Sequence, residues 1–464
     1  MHYDVVIIGA GLSGLAAGIR LAYFDKKVCV LERHEVYGGL SSFYTLGGRS
    51  FDVGLHALTN YAPPEARSAP LSKLFRQLRL DRTEFELCPQ RHSEIRFPGC
   101  TLRFTNDLAV LMQEVAEKFP RAVDGFRRFV AAMRSYDDLR FDVPWRSVRE
   151  VLGAALSDRR LVEMLLCPVM YYGSAEEHDM DFTSFVTLFK SIFCEGLARP
   201  RTGIRAILRA LVKKYRACGG KLRTKCGVER LITDGTRVTE LELQSGERVT
   251  ADTVLSSAGY FETLQLCSDT REPPPQEEVG KLSFFESIAI TDVPPAQLGL
   301  DAAIIFFNDS PTFTYAKPEA LVDVRSGVVC CPNNFERHED LPEGTVRLTV
   351  LADFERWSGL DEKTYVRAKR ECYDQIITHA VGLGAVPDFR ERVIYTDTFT
   401  PRTIRKYTGR INGAVYGAPR KIRDGRTRYK NLFICGTDQG FLGIIGAMLS
   451  GISMANLHVL SNEL

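Results

Sequence analysis

A glycine-rich stretch directly after the first predicted strand restricts most strongly how this 464-residue chain can fold. It reads YDVVIIGAGLSGLAAGIRL, in which a β-branched run precedes Gly9, Gly11 and Gly14 and a helical pattern follows over residues 12–23. This spacing permits a tight turn, a close approach of the backbone to a pyrophosphate, and close packing of helix on strand. Unpaired N–H groups and the dipole at the helix N-terminus favour an anion there. The stretch therefore predicts a βα unit that binds a dinucleotide.

An acidic residue at the end of the next strand strengthens this prediction. The strand covers residues 27–31 and is followed by Glu32, about 20 residues beyond the glycines. A carboxylate at this position can accept both ribose hydroxyl groups of an adenosine, and it would repel a 2′-phosphate. We expect contacts with the dinucleotide from these residues of the unit: Gly9, Gly11, Leu12, Ser13, Gly14, Glu32 and Arg33.

Composition disfavours several other classes of protein. The formal charge is only +2, whereas a nucleic-acid-binding domain would be strongly basic, so we expect no nucleic-acid partner. Twelve cysteines are scattered without a metal-ligand spacing, which indicates reduced thiols in a cytoplasmic protein and no metal site. We recognise no secretory signal, and no run of roughly 18–20 uninterrupted apolar residues predicts a membrane-spanning helix.

Two further segments make the pattern specific to one group of flavoproteins. They are HEVYGGLSSF at residues 34–43 and RSFDVGLHAL at residues 49–58. These segments resemble the second glycine pair and the following "FD.G" segment of the FAD-dependent amine oxidase and phytoene desaturase superfamily. GGLSS and DVGLH are more similar to its carotenoid isomerase, retinol saturase and bacterial carotenoid desaturase branch than to the amine oxidases. The resemblance implies that the dinucleotide is FAD.

The resemblance also implies roles for residues within these two segments. Gly39, Leu40 and Ser41 would contact FAD, and Leu40 stands where many relatives carry an arginine that faces the diphosphate. We therefore expect less positive charge at the diphosphate than in those relatives. Leu55 and His56 would lie near the flavin. His56 is the best titratable candidate for catalysis, and it would either assist a proton transfer or hydrogen-bond to the flavin or the substrate.

The chain ends in a second glycine-rich motif, NLFICGTDQGFLGIIGAMLSG. By the same resemblance, Gly436 and Asp438 would contact the ribityl-diphosphate region of FAD. Ile444 and Ile445 would offer their amides to the isoalloxazine ring, where a helix N-terminus would stabilise negative charge on a reduced flavin. Val228, far earlier in the chain, would present its backbone to the adenine. One FAD molecule would therefore need both ends of the chain.

The order of predicted elements indicates an α/β fold. The resemblance implies a Rossmann-like FAD-binding domain that is discontinuous in sequence, formed by residues 1–65, 200–265 and 400–464. Residues 66–199 and 266–399 would form an inserted α+β substrate-binding domain. The first of these two parts has mainly helical patterns. The second alternates strands and loops around one longer helix.

Two segments and two aromatic residues allow both a structural and a functional interpretation. Residues 167–194 are rich in aromatic residues and methionine, which is typical of core packing but also suits a pocket for a long hydrocarbon. The helix over residues 203–217 has aliphatic side chains on one face, opposite a basic stripe at residues 201–216. This stripe is either solvated or in contact with anionic lipid. Tyr416 and Phe399 either line a pocket beside the flavin ring or pack in the core.

The leading hypothesis is an FAD-dependent oxidoreductase that acts on an extended apolar polyene or isoprenoid, similar to the carotenoids. The reaction would be C–C desaturation, saturation or cis–trans isomerisation. The alternatives are an FAD-dependent amine or amino-acid oxidase, and a non-catalytic flavin-binding scaffold. We expect a small apolar substrate as the partner and a cytoplasmic location, with peripheral contact at a membrane surface left open.

Overall fold

The computed structural model of the protein describes residues 1–138, 140, 143–270, 272–336 and 341–461. In this part of the chain the strands are β1 (His2–Ile8), β2 (Val28–Leu31), β3 (Phe43–Leu46), β4 (Arg49–Asp52), β5 (Leu87–Pro89), β6 (Ser93–Phe97), β7 (Cys100–Phe104), β8 (Ala198–Pro200), β9 (Lys221–Arg223), β10 (Val228–Thr233), β11 (Val238–Leu243), β12 (Arg248–Ser256), β13 (Ser283–Thr291), β14 (Ile304–Asn308), β15 (Ser326–Cys330), β16 (Gly344–Ala352), β17 (Val393–Phe399) and β18 (Leu432–Ile434). The α-helices are α1 (Leu12–Tyr23), α2 (Pro70–Leu78), α3 (Leu108–Lys118), α4 (Val123–Ser135), α5 (Val148–Ala155), α6 (Arg159–Gly173), α7 (Phe182–Phe189), α8 (Ile204–Ala217), α9 (Tyr260–Gln265), α10 (Phe354–Ser358), α11 (Glu362–Gly382), α12 (Pro401–Thr408) and α13 (Gly443–Ala455). Two π-helical segments, Lys190–Glu195 and Asn456–Leu460, continue α7 and α13.

The first large sheet has a parallel centre built from distant parts of the chain. β12 pairs with β1, β1 with β2, and β2 with β9, all in parallel. The last strand, β18, returns to lie parallel to β12, and the antiparallel strands β10 and β11 extend the sheet beyond β12. Val5, Val6 and Ile7 of β1 are fully buried because helices cover the sheet, which explains the uninterrupted apolar run. The predicted α/β class is confirmed.

The C-terminal helix packs in the interior against the first helix of the chain. A Cβ atom at Gly451 in α13 would lie 2.0 Å from the carbonyl oxygen of Ser13 in α1, so only glycine allows this approach. α13 and its π-helical continuation form one segment, Gly443–Leu460, that is long and apolar enough to cross a membrane by length and composition. Because 56% of the segment is buried inside the protein, its apolar surface is largely used for packing on the rest of the fold.

The second large sheet runs in the order β17, β13, β16, β15, β14, β6 and β7. All of its pairs are antiparallel except the parallel pair of β14 with β6. β6 and β7 form a hairpin whose turn contains Gly99 with φ of +67°. The mainly helical pattern predicted for the early part of the substrate-binding domain was therefore wrong at this hairpin. Two five-residue strands around a Pro-Gly turn are too short to give a strong periodic signal.

Core packing accounts for most of the segment that is rich in aromatic residues and methionine. The segment forms the end of α6, then α7 and the π-helix after it. Met170, Phe185 and Phe189 are fully buried in one apolar cluster that also includes side chains of the second sheet. The core-packing interpretation is confirmed for these residues. The division of the chain into two domains stays a prediction, because strand pairing assigns residues to sheets and not to separately folding units.

Candidate functional site

Glycines shape the turn between β1 and α1. Gly9 has φ of +93°, and a Cβ atom on it would lie 2.4 Å from Ser257 Oγ. A Cβ atom on Gly14 would lie 2.1 Å from the carbonyl oxygen of Gly9. Helix α1 begins at Leu12 without a side-chain cap on its first turn, so its N–H groups can serve a phosphate. This turn therefore fits the pyrophosphate of a dinucleotide.

The acidic end of β2 lies beside this turn. Glu32 is 7% exposed, and its carboxylate accepts hydrogen bonds from the N–H groups of Ala10 at 2.9 Å and His34 at 3.0 Å. Since a carboxylate has about four lone-pair positions, it can still accept hydroxyl groups. Arg33 is exposed. The N–H group of Cys226 donates to the Glu32 carbonyl oxygen at 2.8 Å, and Val228, two residues later, begins β10. Contacts of these residues with an adenosine stay predictions.

The second glycine pair lies directly against the first glycine turn. Gly38 has φ of +119° and donates its N–H to a carbonyl oxygen of that turn at 2.9 Å. Gly39 has φ of +60°, and a Cβ atom on it would lie 3.5 Å from Gly11 Cα. Gly39 is exposed and Leu40 and Ser41 are half-buried. These three residues are therefore accessible to a ligand, and their contacts with FAD stay predictions.

The two glycine motifs from opposite ends of the chain are in contact. A Cβ atom on Gly436 would lie 2.9 Å from Ser13 Oγ in α1. Ile444 and Ile445 form the first turn of α13, are 6% and 0% exposed, and follow a helix start that no side chain caps. As predicted, the fold brings the two glycine motifs together, and each motif leads into a helix that no side chain caps. Binding of one FAD molecule to both motifs stays a prediction.

Asp438 is engaged by the protein itself. Its Oδ2 accepts hydrogen bonds from Tyr260 N–H at 2.7 Å and Arg410 Nη1 at 3.0 Å, and its Oδ1 accepts from Ala418 N–H at 3.0 Å. Burial alone would raise the pKa of this carboxyl, but Arg410, Lys421 and the N–H donors hold it below its usual value. The carboxylate thus fixes the loop after β18, and its contact with a ribityl-diphosphate group stays a prediction.

His56 joins the glycine segments to the second sheet. Its Nε2 lies 2.8 Å from Thr349 Oγ1 in β16, and the preceding Leu55 is fully buried. Burial, together with the nearby charges of Arg347 and Arg199, lowers the pKa of His56 well below its usual value. The imidazole is therefore neutral at neutral pH, with one nitrogen that donates and one that accepts. Either role predicted for His56 is compatible with this state.

Four buried charged side chains hold the His56 segment in place: Asp52, Arg199, Glu286 and Arg347. Arg199 Nη2 donates to Asp52 Oδ2 at 2.5 Å, and its Nη1 donates to the His56 carbonyl oxygen at 2.7 Å. Arg347 Nε donates to Glu286 Oε1 at 2.5 Å, and its Nη2 donates to the Asp52 carbonyl oxygen at 3.1 Å. The two positive and two negative charges balance, so the segment is fixed between β8 and the second sheet by an internal ionic network.

An aromatic group lies next to this network. The ring centroid of Tyr171 is 6.2 Å from that of Phe284, which is 5.8 Å from that of Tyr416. Burial raises the pKa of Tyr172 well above its usual value, and the nearby Cys330 and Tyr416 add smaller effects in the same direction. Phe284 lies on β13 two residues before Glu286, so the aromatic group adjoins the charged network.

Comparison with known proteins identifies the family. The family model described as flavin containing amine oxidoreductase matches residues 12–457. The chain belongs to this family. As a flavin-containing amine oxidoreductase it uses a flavin and is an enzyme, and the glycine turns and uncapped helix starts fit such a group. The alternative of a non-catalytic scaffold is therefore set aside.

Individual relatives of this flavoprotein are distant but cover nearly the whole chain. An alignment of 505 residues with prolycopene isomerase 2 of an Oncidium hybrid cultivar shows 21% identity and covers 98% of this chain and 83% of the relative. It is 26% identical over 538 residues to all-trans-retinol 13,14-reductase of Danio rerio, with coverage of 98% and 87%. A solved oxidoreductase from Methanosarcina mazei has a TM-score of 0.69 at 15% identity and covers 98% of this chain and 99% of its own. That structural likeness supports the fold.

The charged network of this flavoprotein has only a weak signal in the sequence. Arg347 is the single charged residue in the strand GTVRLTVLA, and a buried cation requires a partner. Its partner Glu286 lies far earlier in the chain, where no motif marks it. Phe399, predicted as a pocket residue or a packing residue, has its ring 5.4 Å from that of Tyr44. It therefore packs in a different aromatic group from Tyr416.

The lowered pKa of His56 predicts how the stability of the flavoprotein depends on pH. Below an unfolded-state pKa of about 6.5, the unfolded chain takes up a proton that the native imidazole does not. The free energy of unfolding should therefore fall as the pH falls through this range, by up to about 1.4 kcal/mol per pH unit for this group. Urea unfolding at several pH values should show a shallower fall in the His56→Gln variant. An identical pH dependence in both proteins would contradict a neutral imidazole in the native protein.

Proposed function

We propose that this flavoprotein binds FAD and acts on an extended apolar polyene or isoprenoid by C–C desaturation, saturation or cis–trans isomerisation. The main support is the aromatic group of Tyr171, Phe284 and Tyr416, in which Phe284 lies on β13 two residues before Glu286 of the charged network. Aromatic walls bind hydrocarbon by burying apolar surface. The names of relatives that act on prolycopene and on retinol support the same class of substrate.

The two glycine motifs would hold the cofactor. Glu32 would accept the adenosine hydroxyl groups, and the first turn of α13 would donate N–H groups to the flavin ring. When bound, FAD supplies two-electron chemistry that the protein side chains lack. The chain's own part is to orient the substrate, to exclude water and to hold a neutral hydrogen-bonding imidazole nearby. The diphosphate would lie at the glycines of both turns: Gly9, Gly11, Gly14 and Gly39.

An amine or amino-acid substrate fits this site less well. The buried carboxylates beside His56, Asp52 and Glu286, are already paired with Arg199 and Arg347. A cationic amine would therefore find a neutral imidazole and no unpaired carboxylate among these four residues. Because an unpaired charge in such a site is strongly disfavoured, an uncharged hydrocarbon is the better ligand.

Incubation of purified holoprotein with a panel of polyenes tests this function. Phytoene, cis-lycopene isomers and retinol are each offered to the oxidised protein and, without oxygen, to the reduced protein. We expect a new product or isomer from at least one compound, separated by chromatography and identified by its absorption spectrum. No conversion under either condition, combined with release of peroxide from an amine panel, would favour the amine oxidase instead.

Replacement of Tyr416 by alanine is expected to lower turnover of the polyene about 10-fold or more, because the substrate loses an aromatic wall that positions it. The ring of Tyr416 is half-buried, and it packs edge to face against Phe284. Tyr23→Ala is the matched control, since Tyr23 is 40% exposed at the end of α1. Steady-state turnover of the polyene by the parent and both variants measures this effect. Equal rates would show that Tyr416 only packs.

A cytoplasmic location and peripheral contact with a membrane stay proposals. The aliphatic face of α8 is buried, whereas Arg209, Lys213 and Arg216 on its basic stripe are exposed. Sedimentation with vesicles of anionic or of neutral lipid tests whether this stripe binds a membrane. Binding to anionic vesicles that disappears in the Arg209→Gln/Lys213→Gln variant would support contact. Equal binding of both proteins, or no binding, would leave the stripe solvated.

A further inference from the structure

A cavity of about 640 Å³ lies outside the flavin site. Its walls come from the β6–β7 hairpin, the end of α3, the start of α6, the end of β14 and the loop after α11. Arg160 lines it near the start of α6, whereas Tyr171 lies eleven residues later on the same helix, about 16 Å along the axis. The cavity is therefore separate from the aromatic group beside His56, and its volume is in the range of small-molecule sites.

Positive charge is concentrated on the walls of this cavity. The charged residues that line it are Arg96, Lys118 and Arg160. The carboxylates that pair with the first two, Glu94 and Glu114, lie outside the lining. The charged residues of the lining are therefore all positive, which favours the binding of an anion in the cavity.

One of these cations has an unused donor. Arg160 Nη2 donates to the Pro98 carbonyl oxygen, but its Nε is buried and has no hydrogen-bond acceptor among the residues that the structure describes. Because Nε is not accessible from the cavity, an anionic group at Arg160 would bind through the Nη atoms of the guanidinium. A bond from a charged donor to an anion is among the stronger hydrogen bonds.

Part of the lining is apolar. Leu383, which is 38% exposed, and the exposed Pro98 present apolar surface to the cavity, whereas the rings of Phe97, Phe119 and Phe307 are at most 7% exposed and lie beneath it. Exposed apolar surface next to a cation can cover the apolar body of a ligand whose other end is charged. Charge and apolar surface together indicate a ligand that has both.

We propose that this cavity binds a small organic anion. A phosphate or carboxylate group would bind at Arg160 and Lys118, and an aromatic or acyl body would lie on Pro98 and Leu383. Two kinds of compound share this chemistry, a nucleotide and a fatty acid, and the experiment separates them. The proposal does not depend on which substrate the flavin site takes.

Binding of ADP and of dodecanoate to the flavin-saturated holoprotein tests the proposal. Cys100 lines the cavity and is half-buried, so a bound ligand should slow its alkylation by iodoacetamide. Cys218 at the end of α8 is equally half-buried but lies outside the cavity, and its alkylation should not change. Mass spectrometry of the peptides reports both residues in one sample. Protection by ADP alone indicates a nucleotide site, and protection by dodecanoate alone indicates an acyl site.

A pair of adjacent arginines supplies the matched variants. Arg160→Gln should weaken binding roughly 10- to 100-fold, since a charge-assisted hydrogen bond is lost. Arg159→Gln changes the neighbouring residue, whose side chain is 84% exposed and outside the cavity, and should bind like the parent. The flavin spectrum of each variant checks that the fold is intact. Absence of Cys100 protection by both probes at millimolar concentration, or equal affinity of the two variants, would overturn the proposal.

Discussion

Replacement of Gly14 by alanine is expected to abolish flavin retention and to lower the free energy of unfolding by about 3 kcal/mol or more. The added Cβ atom would lie 2.1 Å from the Gly9 carbonyl oxygen. A Cβ atom is fixed directly to the backbone and the Gly9 oxygen is itself a backbone atom, so the contact is relieved only if α1 moves away from β1. That movement would open the proposed diphosphate site. The ratio of flavin to protein absorbance after gel filtration measures retention, and urea unfolding measures stability.

Gly153→Ala is the matched control for this experiment. Gly153 lies in α5, and a Cβ atom on it would have nothing within 4 Å. Because alanine is favoured over glycine inside a helix, this variant should be as stable as the parent or more stable by up to about 1 kcal/mol. Full flavin retention by Gly14→Ala would contradict the assignment of the turn to the cofactor.

Replacement of Arg347 by methionine is expected to destabilise the protein by about 3–5 kcal/mol. Arg347 is 2% exposed, and without it the 8% exposed Glu286 would keep a buried charge without its partner. The double replacement Glu286→Leu/Arg347→Met removes both charges. It should therefore be less destabilising than the single change, because uncompensated charge and not lost packing dominates.

A surface pair provides the comparison for the buried one. Arg392 donates to Asp292 Oδ1 at 2.8 Å, and the two side chains are 46% and 45% exposed. Arg392→Met should change the free energy of unfolding by about 1 kcal/mol or less, since exposed ion pairs are weak. Urea unfolding of the parent, the two single arginine variants and the double variant measures these differences in the free energy of unfolding. Equal effects of the two single arginine changes would show that the Asp52–Arg199–Glu286–Arg347 network does not stabilise the site.

Local sequence signals predicted the nucleotide-binding part of the fold well. Helix α1 begins and ends at Leu12 and Tyr23 as the glycine spacing indicates, because the turn geometry and the helical period are both set within about 20 residues. The contact between the N-terminal and C-terminal motifs followed from the resemblance to a flavoprotein family. Family membership confirms that resemblance over residues 12–457.

Features made by distant residues could not be predicted in the same way. Arg347 and Glu286 meet because β16 pairs with β13, a register that no single strand encodes. Asp438 shows the same limit, since its buried partner Arg410 comes from the loop after α12. A motif therefore located the Asp438 carboxylate, but only the folded structure identified the protein groups that already bind it.

The anaerobic absorption spectrum of the purified protein during addition of polyenes shows whether this flavoprotein acts on them. We expect flavin absorption bands and one of two responses. The bands bleach when a polyene is oxidised, or the chemically reduced protein converts a polyene that the oxidised protein leaves unchanged. A protein that takes up no FAD would contradict the proposed function, as would a flavin that amines reduce while every polyene leaves it unchanged in both redox states.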